Sequence, residues 1–348
     1  MKVLKYLLVF IPLTLVAEFL HLSQTWIFIF SALAIIPLAG IMGRSTESIS
    51  YFAGSRVGGF LNATFGNATE LIIGFFAMKA GLFDVVKASI AGSVIGNVLL
   101  VLGLSMLVGG IKYKKQYFCK EVINVTASML LFAVIGLTIP AIFTHTVSSD
   151  LMTAQYEGLS VIVAVIMFAI YIMSLVFSFY THKDIYATDS EEEAGIPDWS
   201  LKKSVVILVF CTVFIGIMSE LFVGAVEPMT QSLGLSELFV GIILVPIIGN
   251  AAEHSTAILM AMKNKMNVAV EIALGSSLQI ILFVTPVLIF LSLLFSPMSI
   301  VFNPFELVAL IFSVMIANRV ASDGESNWLE GVQLIAAYVI FAASFFIL

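Results

Sequence analysis

Gly66-Asn67-Ala68-Thr69-Glu70 lies inside an apolar stretch, and Gly249-Asn250-Ala251-Ala252-Glu253 lies inside another, 183 positions further on. A carboxylate in the middle of a membrane helix costs about 2.5–3.5 kcal/mol on insertion scales. Two of them at matching places imply a shared job. The match continues at the same offset without a gap. Gly58 falls on Gly241, Gly92-Ser93 on Gly275-Ser276, and Gly96-Asn97 on Gln279-Ile280. Each half therefore offers one amide side chain, one position apart, and the chain reads as an internal duplication of a polar-cored helix pair.

The surrounding composition sets the class. Of 348 residues, 60% are hydrophobic and 11% charged, where a soluble domain carries about a quarter charged residues. Apolar runs of about 20 residues recur, long enough to cross a ~30 Å hydrocarbon core. These features predict an all-α, polytopic membrane protein, whereas a β-barrel would show short alternating segments. The net charge of −6 and the scattered basic residues exclude nucleic acid as a partner. Cys119 and Cys211 stand alone without CxxC spacing, so neither a metal site nor a disulfide framework is implied. Met1-Lys2-Val3-Leu4-Lys5 opens like a signal peptide, but the apolar run continues to Leu20 without a small-residue cleavage site. It reads as a retained first span.

Hydropathy predicts about eleven transmembrane helices, near 3–20, 25–42, 47–80, 83–109, 117–141, 153–180, 202–226, 235–263, 267–295, 302–318 and 327–348. Residues 47–59 are only weakly apolar and read as an interfacial start that then turns inward. Gly109-Gly110, Glu227-Pro228, Ser296-Pro297 and Asn303-Pro304 mark breaks. With the N-terminus inside, 13 of the 16 basic residues fall on the cytoplasmic side and Lys79 and Lys87 outside, with Arg56, near the start of the third span, left uncounted. The expected topology is N-terminus in and C-terminus out. The span carrying Glu70 then runs outward and the span carrying Glu253 runs inward. This gives two inverted five-helix repeats plus one extra N-terminal helix. The boundaries are 1–23 for the extra helix, 24–180 for the first repeat, 181–200 for an acidic cytoplasmic linker, and 201–348 for the second repeat. Glu70 lies about 14 Å from the outer face and Glu253 about 15 Å from the inner face at 1.5 Å per residue. Inverted repeats with acids near the midplane are the pattern of a secondary transporter.

Asn67 and Glu70 share a helix face, as do Asn250 and Glu253. Ser89, Ser93 and Asn97 form a stripe spaced by four, and Ser276 and Gln279 are three apart. Gly66 and Gly249 let the helix bend and free backbone carbonyls. The donor set is hard oxygen, suited to Ca²⁺, Mn²⁺ or Na⁺ rather than Zn²⁺ or Cu. Taken singly, the Asn and Ser residues would serve equally as interhelical hydrogen-bond glue, and the glycines as close-packing positions. Inverted symmetry is what singles out Glu70 and Glu253. His254 is a proton relay, a partner of Glu253 or a packed polar residue. Glu18 and Glu220 sit near span ends, and Glu306 suits a first-turn helix charge. In the linker, Asp189, Glu191, Glu192 and Glu193 form either a solvated connection or a regulatory segment that attracts cations.

The paired stretches Gly66-Asn67-Ala68-Thr69-Glu70-Leu71-Ile72 and Gly249-Asn250-Ala251-Ala252-Glu253-His254 resemble the repeats of the Ca²⁺/H⁺ antiporter family, within the cation/Ca²⁺ exchanger superfamily. Gly92-Ser93 through Asn97 and Gly275-Ser276 through Gln279 look like that family's neighbouring helices. The resemblance covers nearly the whole chain. It implies ten core helices plus one, with Glu70 and Glu253 binding cation and proton in turn, helped by Asn97 and Gln279. The Na⁺/Ca²⁺ branch typically shows Thr-Ser-rich repeats here, so Asn67 and Asn250 favour the proton-coupled branch. Ca²⁺ is the transported substrate, H⁺ the counter-ion and the lipid bilayer the setting, in a multi-pass protein of the cell membrane. No cofactor and no enzymatic activity are expected, and the sequence leaves homo-oligomerisation open. The alternatives are a Na⁺/Ca²⁺ exchanger and a broader divalent cation (Mn²⁺)/H⁺ antiporter. A channel would carry exposed acidic rings, and an intramembrane hydrolase would need a nucleophile or metal triad that has no reason to be inversion-symmetric.

Overall fold

A backbone surrounded by lipid must satisfy its own N–H and C=O groups, and helices do so within one segment. A computed structural model of the chain describes residues 6–146, 152–182 and 197–348. In order, its helices are α1 (Leu7–Phe19), α2 (Gln24–Phe65), α3 (Ala68–Lys79), α4 (Phe83–Tyr113), α5 (Lys120–Thr146) and α6 (Met152–Val176). The second half adds α7 (Leu201–Gly224), α8 (Val226–Leu233), α9 (Glu237–Gly249), α10 (Ala251–Met262), α11 (Met266–Ser292), α12 (Pro304–Val320) and α13 (Trp328–Ile347). The architecture is the membrane-embedded helical one that the hydropathy predicts.

Length and apolarity alone do not reproduce the count of eleven. Among the described residues, eight helices are long and apolar enough to cross a membrane, and nine if α8 and α9, bent by 120°, count as one span. The difference lies where the motifs are. The segment 47–80 is not one helix: α2 continues to Phe65 with a sharp bend at Gly54 (φ 82°, ψ 164°), and the helix breaks again before α3. The segment 235–263 is likewise α9 and α10, separated at Asn250. The expected interfacial stretch 47–59 is helical on both sides of Gly54, whose left-handed φ a Cβ would strain. The first expected span, 3–20, is only the short α1 among the described residues.

The chain divides into two compact units, Met1–Val86 with Leu175–Ala252, and Lys87–Ser174 with Glu253–Leu348. Each draws a piece from both sequence repeats. In the first, α2 and α3 pack on α7, and α9 packs on both α2 and α3. Phe28 of α2 stacks on Phe222 of α7 at 4.6 Å between ring centres. Arg44 Nε donates to Asp198 Oδ2 at 2.8 Å, which ties the end of the linker to α2.

In the second unit, α13 packs on α4, and α11 and α12 pack on α5. The α4–α13 contact is backbone-close. A Cβ on Gly110 would run into the Trp328 backbone, and one on Gly331 would lie 2.6 Å from the Gly103 carbonyl oxygen. Small residues permit this approach. Gly109-Gly110 is therefore not the turn that its composition suggests, and α4 runs on to Tyr113.

A two-stranded ribbon, β1 (Lys115–Tyr117) antiparallel to β2 (Glu325–Asn327), joins the end of α4 to the start of α13. Gln116, 1% exposed, donates from Nε2 to the Ala261 carbonyl at 2.9 Å and to Asn264 Oδ1 at 3.0 Å. Lys112 Nζ and Tyr113 OH both donate to the Met262 carbonyl, at 2.9 and 3.1 Å. Three loops that the charge count assigns to one side thus meet, and the last carbonyls of α10, which have no partner within the helix, are satisfied from α4 and β1. At the other end of the unit, Ser160 Oγ accepts from the Ile300 N–H at 3.0 Å. Glu306 closes a capping box with Asn303, the first-turn role that its position implies.

Candidate ion-binding site

Both motifs break their helices at the same point. Asn67 (φ −101°, ψ 19°) begins α3, and Asn250 (φ −93°, ψ 6°) ends α9. The two conformations agree within about a dozen degrees, in the sparsely allowed bridge region. Glu70 and Glu253 consequently fall in the first turns of α3 and α10. At such a break the carbonyl end of one helix meets the N–H end of the next. The first favours a cation and the second favours a carboxylate. The glycines predicted to permit the bend are one residue upstream of the breaks in both halves.

The first unit holds Gly66, Asn67, Glu70, Gly249 and Asn250. Asn67 and Asn250 are each 1% exposed. The Glu70 carboxylate lies against the other motif, since a Cβ on Gly249 would stand 3.3 Å from Glu70 Oε1. Gly249 thus leaves space for the Glu70 side chain, while its own φ lies outside the left-handed region that favours glycine. Asn250 folds back, and both its backbone N–H and its Nδ2 donate to the Pro246 carbonyl at 3.0 Å.

The second unit holds Ser89, Ser93, Asn97, Glu253, His254, Ser276 and Gln279. Ser276 Oγ donates to Glu253 Oε2 at 2.6 Å, a charge-assisted length for a hydroxyl on a carboxylate. His254 pairs with Asn97 instead of Glu253, Nε2 to Oδ1 at 3.0 Å. Successive helix residues diverge by about 100°, so the two neighbours reach different helices. Ser93 is 3% exposed, while Ser89 and Gln279 are half-buried.

Sequence reasoning misses the π-helical turns: among the described residues they lie at Gly96–Val101, Phe177–Thr181, Val240–Leu244 and Ile280–Val284, and two of the four correspond across the halves. These two are Gly96–Val101 within α4 and Ile280–Val284 within α11, and at the offset of 183 residues 97–101 fall on 280–284. The two amides stand at their heads, Asn97 as the second residue of one and Gln279 just before the other. A π-turn adds a residue to the ladder and rotates the helix beyond it, and such turns recur at functional sites. Thr285 Oγ1 donates to the Ile280 carbonyl at 2.8 Å, filling part of the widened ladder. No residue type announces these turns, since Val, Leu and Ile fill them as they fill the helices around them. Asp189, Glu191, Glu192 and Glu193 lie outside the described residues.

Comparison with known proteins bears on this arrangement. The family model described as sodium/calcium exchanger protein matches residues 23–180 and 203–347. The chain is 48% identical to a Ca²⁺/H⁺ antiporter of Aphanothece halophytica, over 98% of this chain and 95% of that one. It is 45% identical to the Ca²⁺/H⁺ antiporter ChaA of Bacillus subtilis, over 97% of both. Among solved structures, native YfkE is similar with a TM-score of 0.87 and 41% identity, covering 99% of this chain and 100% of that one. The H⁺/Ca²⁺ exchanger CAX, at 15% identity and a TM-score of 0.75 over 99% of this chain and 91% of that one, is alike in fold. With its two halves matched by one model, and its full length by close relatives, the chain belongs to the sodium/calcium exchanger family.

Proposed function

We propose that this protein exchanges Ca²⁺ for H⁺ across a membrane. The observation that carries this reading is 44–48% identity to Ca²⁺/H⁺ antiporters over nearly the entire chain, with both Gly-Asn-x-x-Glu stretches present. Glu70 and Glu253 are the groups that take up cation or protons in turn. Asn67, Asn250, Asn97, Gln279 and carbonyls at Gly66 and Gly249 add neutral oxygens, and Ser89, Ser93 and Ser276 line the polar faces.

Charge explains the exchange. Two ionised carboxylates neutralise one divalent cation. Without it, two desolvated carboxylates disfavour their own charge and take up protons. Occupancy by Ca²⁺ or by protons is favoured, and the empty charged state is not. If only the occupied states reorient, the result is obligatory exchange, with about two H⁺ per Ca²⁺ by charge balance. The N-terminus lies in the cytoplasm, the C-terminus outside, and the acidic linker on the cytoplasmic side modulates Ca²⁺ dependence.

A Na⁺-coupled reading is favoured by the name of the matching family model. Proteoliposomes loaded for ⁴⁵Ca²⁺ flux separate the two. A pH gradient at clamped Na⁺ should drive uptake, and a Na⁺ gradient at clamped pH should not. Uptake driven by Na⁺ alone would reverse the assignment.

A further inference from the structure

Asn97 is 1% exposed, and His254 reaches it from 157 positions away in the sequence, with Nε2 3.0 Å from Asn97 Oδ1. The other end of the same amide, Nδ2, is buried with no hydrogen-bond partner. An empty buried donor is unfavourable, while an empty buried acceptor is a ready ligand for a hard cation. The two ends of an amide have nearly the same shape and opposite roles. A half-turn of the side chain exchanges them: Nδ2–H then donates to the imidazole, and Oδ1 takes the vacated position.

Imidazole accommodates both arrangements without changing charge. With its proton on Nε2 it donates to Oδ1, and with its proton on Nδ1 its bare Nε2 accepts from Nδ2. We propose that His254 is a positioning residue that lets Asn97 turn its amide, presenting a donor when the cation is absent and an oxygen ligand when it is bound. This rests on the reading of Asn97 as a cation ligand. The proton lost from Nε2 reappears on Nδ1 of the same ring, relayed by water, so the ring stays neutral. The setting fits. Asn97 sits in the π-turn of α4, where the backbone ladder is widened. Glu253, the neighbour of His254, is engaged separately by Ser276 and does not compete for the ring.

The test uses the full chain in nanodiscs with ¹⁵N-labelled histidine at one fixed pH. The His254 resonances, assigned by their loss in His254→Gln, should show an N–H type Nε2 without Ca²⁺ and a bare Nε2 with saturating Ca²⁺. One unchanged tautomer, in a sample shown by ⁴⁵Ca²⁺ to be loaded, overturns the proposal. A second measurement compares variants matched in melting temperature. His254→Gln keeps a donor and an acceptor and should hold Ca²⁺ affinity within about threefold, whereas His254→Leu should weaken it about tenfold, the scale of one lost buried hydrogen bond. Equal affinities in the two variants refute the role. Asn97→Ala tests the underlying reading separately. If it binds Ca²⁺ like the unaltered protein, Asn97 is not a ligand and the proposal falls with that assignment.

Discussion

Glu70→Gln and Glu253→Gln keep side-chain size and remove charge, and a neutral amide is cheaper in the membrane than a carboxylate. Both variants should therefore insert normally. Each should nonetheless lower pH-driven Ca²⁺ transport by about a hundredfold or more, the scale of removing one partner from a desolvated charge set. Near-normal initial rates in either would remove that residue from the site. Glu220→Gln should be mild, because Glu220 pairs with Lys79 at 3.8 Å and both side chains are more than half exposed. Gly249→Ala is subtler. Its Cβ would stand 3.3 Å from Glu70 Oε1, so the carboxylate must yield by a few tenths of an ångström. Apparent Ca²⁺ affinity should fall several-fold with an unchanged melting temperature, and unchanged affinity would mean that Glu70 moves aside freely. At this scale the sequence singles out Glu70 and Glu253 as candidates, because a repeated acid in an apolar helix has no cheap explanation. It is a poor guide to pairings. That Asn97 faces His254 depends on helices brought together from distant positions, and no local pattern encodes it.

Among the elements, the helices are legible from hydropathy and the breaks in outline from Gly66 and Gly249, whereas the π-turns and the β1–β2 ribbon are not. A three-residue strand has no periodicity to read, and β1 exists because Glu325–Asn327 lies beside it. Gln116 carries no local signal for the same reason: its burial comes from the ends of α4 and α10 meeting over it. Gln116→Ala would strip the Ala261 carbonyl and Asn264 of a buried donor and should destabilise the protein by about 1–3 kcal/mol. By contrast, Lys115 pairs with Glu325 at 2.7 Å on the exposed side of the ribbon. That hydrogen bond raises the Lys115 pKa above its ordinary value. The pair's contribution is complete below the usual lysine range and fades as pH rises through the raised value. Solvent screens it, so Lys115→Gln should leave the melting temperature nearly unchanged. Gly331→Leu should overpack α4 against α13 and cost about 1–3 kcal/mol or more. Thermal unfolding in detergent ranks the three variants, and a Gln116→Ala protein as stable as Lys115→Gln would contradict the clamp.

For the molecule as a whole, the orientation rests on the distribution of Lys and Arg. Cysteines at Lys114 and Lys263 should be labelled by impermeant reagents from the cytoplasmic side and one at Gln231 from outside. Labelling of Lys114 and Lys263 from opposite faces would break the inverted-repeat scheme. The duplication is visible in the sequence as two consecutive halves, yet neither half is a compact unit. One unit joins Met1–Val86 to Leu175–Ala252, the segment that contains the linker, and the other joins Lys87–Ser174 to Glu253–Leu348. A cut within 183–196 would leave two fragments, each owning half of two cores and the whole of neither. Expressed singly, each fragment should be degraded, its apolar helix faces lacking their partners. Expressed together, the fragments should complement one another and recover pH-driven Ca²⁺ transport. A lone half that is stable and monodisperse would show that the duplicated ancestor's fold still survives inside its descendant.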